Sequence, residues 1–80
     1  MQQGPDTSIL LSLVNTKMPY GKYKDVLLYK IPMHYLEWMK RNGFPKNKLG
    51  QQLETLFEIK LNGLEFLLQP LINASKTGNR

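Results

Sequence analysis

Apolar side chains recur along this chain with two different rhythms, and the rhythm divides it into segments. Ile9, Leu10, Leu13 and Val14 fall at helical spacing behind Asp6, Thr7 and Ser8, any of which can cap a helix by accepting from an early backbone amide. A first helix is therefore expected over 6–15. Met18 to Asp25 is too broken by Pro19 and Gly21 to be helical, and Val26 to Ile31 is rich in strand-forming residues. That stretch predicts a small β-hairpin or two short strands between the first and second helix, stable only when packed on something else.

Pro32 suits a first helical position, where no amide hydrogen is needed, and Tyr35, Leu36 and Met39 form a stripe with Trp38 beside it. The second helix is expected over 32–42, stopped by Gly43 in a left-handed turn with Phe44 folding back onto Met39, and by Pro45. Leu49, Leu53, Phe57, Leu61, Leu64 and Leu68 then keep one helical phase through the C-terminal half. The third helix is accordingly expected as one rod over 47–69, ended by Pro70, with a break at Gly63 as the alternative. Its wide stripe, which takes in Leu56, Ile59 and Phe66, makes it the spine of a mainly α fold of about three helices.

Eighty residues leave room for one domain, 1–80, with an ordered core over about 6–71 and fraying tails at 1–5 and 75–80. A core this small supports a stability on the order of 5 kcal/mol. There are no cysteines, so disulfides, thiolate nucleophiles and Cys-based zinc sites are excluded. No apolar stretch approaches the ~20 residues of a membrane span. Ile9 to Val14 follows Asp6 rather than basic residues and has no small-residue cleavage pattern behind it, so it does not read as a secretory leader. The expectation is a cytoplasmic monomer.

Charge changes this picture. The net charge is +5, and the segment from Lys17 to Lys48 carries Lys17, Lys22, Lys24, Lys30, Lys40, Arg41, Lys46 and Lys48 against only Asp25 and Glu37. Such asymmetry favours an anionic partner, nucleic acid or an acidic protein, although a lysine-rich surface also serves solubility. Lys40 and Arg41 complement the C-terminal dipole of the second helix without any ligand; Lys46 and Lys48 have no such role.

Catalytic chemistry finds little support. His34 is the only histidine, and with Glu37 one turn on and Asp25 elsewhere it makes a poor metal cage. Ser8, Ser12 and Ser75 sit in no nucleophile turn, and Glu54 and Glu58 read as a solvated helix face. No catalytic residue, metal or cofactor is expected. The chemistry-bearing segment is Lys17 to Lys24, where cations alternate with rings around a glycine. If extended, it projects Tyr20, Lys22 and Lys24 to one side and Tyr23 and Asp25 to the other. Lysines would meet phosphate, a ring would stack on a base, and Gly21 would let the backbone approach closely. The candidate nucleic-acid-binding set is Lys17, Tyr20, Gly21, Lys22, Tyr23, Lys24, Lys46 and Lys48. The alternatives are that the tyrosines pack under the hairpin while the lysines guard its edge, or that Tyr35, Trp38 and Phe44 form an exposed aromatic patch for a protein partner.

Four ordered motifs, Met18-Pro-Tyr-Gly-Lys-Tyr-Lys, Tyr35-Leu-Glu-Trp, Gly43-Phe-Pro-Lys-Asn-Lys-Leu-Gly and Glu58-Ile-Lys-Leu-Asn-Gly-Leu-Glu, resemble a small bacterial family labelled putative quorum-sensing-regulated virulence factor. The likeness spans about Lys17 to Leu71, with Tyr20 where Phe is usual and Asp25 where Gly is usual. It implies a regulatory context and supplies no mechanism. The first two motifs also resemble, over a shorter stretch, the small C-terminal domain of some exonuclease X-like nucleases, which implies a nucleic-acid context.

Overall fold

A computed structural model describes residues 7–77, with side chains described as far as Ser75. The chain is mainly helical: α1 Thr7–Asn15, α2 Met33–Asn42, α3 Lys48–Leu61 and α4 Gln69–Thr77, with 3₁₀ turns at Leu28–Lys30 and Glu65–Leu67. The expected three helices with a β-hairpin are therefore corrected to four α-helices, and among the described residues there is no strand. The expected tail residues 1–5 and 78–80 lie outside the described residues, while α4 carries the chain through the stretch 75–77.

The hairpin fails for reasons of hydrogen bonding. Only Lys17 and Leu27 pair, as an isolated antiparallel bridge. Beyond it the chain spends its amides within turns: Lys24 N–H donates to the Gly21 carbonyl at 3.1 Å and Val26 N–H to the Tyr23 carbonyl at 3.0 Å. Pro19 has no amide to offer a ladder. On the far side, Val26 to Ile31 buries Leu28 and Ile31 completely, a spacing of three that suits the 3₁₀ turn and not the period of two a strand requires.

The single long helix fails at Gly63. There φ is +69°, and the Leu64 amide donates back to the Ile59 carbonyl at 2.8 Å while the Gly63 amide donates to Lys60 at 3.2 Å. These are the two bonds of a Schellman ending, which needs a left-handed residue and so favours glycine. The predicted Schellman stop at Gly43 instead has φ +94° and ψ +121°, outside the left-handed helical region. After the break, Pro70 lies in the first turn of α4, where a missing amide costs nothing. Pro70 thus opens a helix instead of ending one. The turn also leaves Leu61 and Phe66 exposed, though both belong to the sequence stripe, while Leu68 is buried.

α3 remains the spine. Leu53, Leu56, Phe57 and Ile59 are buried on it, and it packs on α2, on α1 and on the Leu28–Lys30 turn, while α4 folds back on α1. Leu13, Met18, Leu28, Ile31 and Leu36 complete the core from the other elements. One buried polar chain ties α3 to α1: Gln52 Nε2 donates to Ser12 Oγ at 2.9 Å, and Ser12 Oγ donates to the Ile9 carbonyl at 2.7 Å. Ser75 Oγ donates to Asn15 Oδ1 at 3.1 Å, joining α4 to the end of α1.

Candidate nucleic-acid interface

The connection from α1 to α2 is held at both ends and turned in the middle. Met18, 1% exposed, anchors it in the core. Opposite Met18 stand two residues: the Asp25 amide donates to the Met18 carbonyl at 2.7 Å and the Met18 amide to the Val26 carbonyl at 2.9 Å. This is a bulge whose first residue takes a positive φ, and Asp25 does so at +71°. Aspartate tolerates that region better than most side chains, but glycine does so at no steric cost. The positive φ gives a backbone reason for glycine at this position, where the resembled family usually carries it.

Gly21 is the second special position. Its φ is +84°, and a Cβ added there would come 3.5 Å from the Tyr35 hydroxyl. The segment consequently lies against α2 instead of standing free as an extended edge. The expected alternation, with Lys22 and Tyr23 on opposite sides, does not hold: Lys22 Nζ sits 5.7 Å from the centre of the Tyr23 ring. A cation over a ring at that distance is a modest attraction in its own right.

Three rings form a row across the joint. Tyr23 meets Tyr35 edge-on at 4.8 Å, and Tyr35 stacks on Trp38 at 5.6 Å with 23° between the planes. Trp38 and Tyr20 are 50% and 51% exposed, too open for core residues. Beside this row lies an open depression of about 430 Å³ lined by Lys22, His34, Tyr35, Trp38 and Arg41. Among the described residues, none of those lining it is acidic. The helix explains the convergence: His34, Trp38 and Arg41 stand at i, i+4 and i+7 of α2, one face, while Leu36 and Met39 are buried.

The predicted set is thus divided. Lys22 lines the depression and Tyr23 belongs to the ring row; Gly21 and Met18 position the segment beneath them. Tyr20 and Lys24 are exposed on the same connection, and Lys17 is exposed at the bridge. Lys46 lies elsewhere, in a separate depression lined by Gly43, Phe44, Pro45, Asn47, Gly50, Gln51 and Glu54, where a carboxylate shares the surface. Lys48 is exposed at the start of α3. Four residues of the depression were outside the predicted nucleic-acid set: Tyr35 and, on one face of α2, His34, Trp38 and Arg41. Their spacing of four and three along α2 was the available signal.

The aromatic patch expected from Tyr35, Trp38 and Phe44 is also divided. Phe44 packs on Phe57 with ring centres 6.2 Å apart, and Lys40 Nζ lies 5.7 Å from the same Phe57 ring. Around Phe44 the Gly43 to Gly50 motif serves packing. Asn47 caps α3, its Oδ1 accepting from the Gly50 amide at 3.1 Å. A Cβ on Gly50 would fall 1.6 Å from the Pro45 carbonyl oxygen, so only glycine fits. Among the described residues no three His, Cys, Asp or Glu side chains gather as a metal would require.

Fold and surface together define a small, mainly helical domain with a cation-rimmed aromatic depression between one connection and one helix. The chain belongs to the family described as "Putative quorum-sensing-regulated virulence factor", whose model matches residues 6–71. It is 44% identical over 63 residues to "Uncharacterized protein YpeB" of Escherichia coli strain K12, an alignment covering 78% of this chain and 88% of the relative. The protein of that name from Escherichia coli O157:H7 matches with the same identity and coverage. No solved structure matches the chain. No helix among the described residues is long and apolar enough to cross a membrane.

Proposed function

We propose that this protein is a non-enzymatic module that binds nucleic acid through the face formed by the α1–α2 connection and α2. The observation that carries the reading is the lining of the depression: Lys22, Arg41 and His34 line it together with the stacked Tyr35–Trp38 pair, and none of the lining residues is acidic. Phosphate needs clustered cations with few competing anions, and bases need exposed rings. Lys24 and Lys17, exposed on the same connection, add positive charge to it. Arg41 is the better phosphate ligand of the two lining cations, because its planar fork donates two parallel hydrogen bonds.

The test is titration of the protein with fluorescent single-stranded and duplex oligonucleotides across a salt series. Engagement of about four phosphates gives a log-log slope near −3. Absence of binding at low salt, or a flat slope, refutes the proposal. A protein-contact module is the second reading, favoured by the half-exposed Trp38 together with exposed Leu61 and Phe66. It requires a partner whose binding is insensitive to salt and lost in Trp38→Ala or Phe66→Ala.

A further inference from the structure

We infer that the depression takes one unpaired base of a single strand, seated on the Trp38 indole with its flanking phosphates held by Lys22 and Arg41. This rests on the nucleic-acid reading and narrows it to a strand state and a contact. Tyr35 covers one face of Trp38 at 5.6 Å, and Tyr23 buttresses Tyr35 from behind at 4.8 Å, so the indole is backed by a row of rings. Half of the Trp38 residue surface still faces solvent. A ring stacked on one neighbour and half exposed has surface left for a third ring.

The volume and charge agree with that occupant. About 430 Å³ lies near the lower end of the roughly 300–1,000 Å³ typical of clefts that hold small molecules. It is open on one side, as a polymer passing through requires. Lys22 from the loop and Arg41 from the last turn of α2 line the same depression as the ring pair, so two cations contributed by different elements share it. A strand with its base on Trp38 presents phosphates on both flanks. In a duplex each base face is covered by its neighbours, and only edges are offered in the grooves, so a stacking platform has nothing to stack on. His34, one turn before Trp38 on the same face, places imidazole donors and acceptors where the edge of a seated base would lie.

Trp38 is the only tryptophan, so intrinsic fluorescence reports on this ring alone. The experiment follows Trp38 emission as the full chain is titrated with unlabelled single-stranded DNA and RNA oligonucleotides, the matching duplexes and an abasic DNA strand of equal length. Affinities, including those of variants lacking Trp38, are measured by anisotropy of the same strands carrying an end label. Expected results are saturable quenching by the single strands, little or none by the duplexes, and binding of the abasic strand, read by anisotropy, without quenching. Trp38→Ala should weaken single-strand affinity by about five- to hundredfold while leaving abasic-strand affinity unchanged, and Trp38→Phe should restore most of the loss. Lys22→Ala with Arg41→Ala should weaken single-stranded and abasic ligands alike and flatten the salt slope by about 1.4. Equal binding of duplex and single strand, or unchanged Trp38 emission on saturation, overturns the base-seating inference and leaves the nucleic-acid reading intact. Failure of all ligands at low salt removes both. Thermal melts of each variant separate loss of contact from loss of fold.

Discussion

Two connections in this molecule look alike in sequence and differ in what they do. Met18 to Asp25 and Gly43 to Lys48 each combine a proline, a glycine, aromatic residues and lysines. In the second, Phe44, Pro45 and Asn47 are taken up by the joint, while Lys46 and Lys48 stay exposed. Phe44 turns inward onto Phe57, the Pro45 carbonyl lies against Gly50, and Asn47 caps the helix that follows. In the first, Met18 and the bulge at Asp25 provide the anchorage, and Tyr20, Lys22 and Lys24 remain exposed on a turn set against the rings of α2. Composition is a poor guide to which connection carries a surface. The number of side chains left over after the backbone is satisfied is a better one.

That contrast is open to mutation, and the largest effect belongs to the packed joint. Gly50→Ala forces the Pro45 carbonyl away from a position 1.6 Å from the new methyl group and should cost about 3 kcal/mol, the upper part of the usual overpacking range. On a domain with stability on the order of 5 kcal/mol this moves the urea midpoint well below that of the parent chain. A loss under about 1 kcal/mol in urea unfolding would mean the joint is not close-packed, and the contrast between the connections would fall. Asp25→Val comes next, at about 1–2 kcal/mol, because a β-branched side chain is disfavoured at φ +71°. Asp25→Gly should stay within about 0.5 kcal/mol of the parent, since glycine takes that φ without strain at some entropic cost. A loss in Asp25→Gly equal to that in Asp25→Val would show the carboxylate itself to be the stabilising group.

Asn47→Ala removes the cap of α3 and should cost about 1 kcal/mol by thermal or urea unfolding. Smallest of all is Lys24→Ala, an exposed lysine on the first connection, expected within about 0.5 kcal/mol of the parent. If Lys24→Ala costs the same as Asn47→Ala, the side chains of the first connection hold the fold together no less than those of the second, and its cations lose their claim to a ligand.

Much of the helical plan was legible because it depends on local chemistry. α1, the end of α2 at Asn42 and the start of α3 beside Asn47 follow from helical spacing and from the Gly43 and Pro45 breakers, which act within a few residues of chain. The errors share a cause. Leu64 and Leu68 keep helical phase with Leu61, yet the chain turns at Gly63, because a burial pattern records which residues go inside and not the path between them. Leu28 and Ile31 misled in the same way: a short apolar run reads as strand until its buried members prove to be three apart. The candidate set is divided by the fold. Lys46 entered it for its charge and lines a separate depression, whereas His34 and Arg41, named in no candidate surface, and Tyr35 and Trp38, named only for an aromatic patch, line the depression with Lys22.

The amino-acid order alone determined the positive segment between Lys17 and Lys48, the helix-forming periodicities and the glycines at which the backbone had to turn, because each rests on interactions within a few residues. Tertiary structure decided which of those cations share a surface. Lys22 and Arg41 are nineteen positions apart and meet only because Met18 and Leu28 are drawn into one core with Leu36, which lays the turned segment along α2. Burial is a collective property of the folded chain, so the α2 face that carries His34, Tyr35, Trp38 and Arg41 could be read from one stretch, whereas the placing of Lys22 beside it could not.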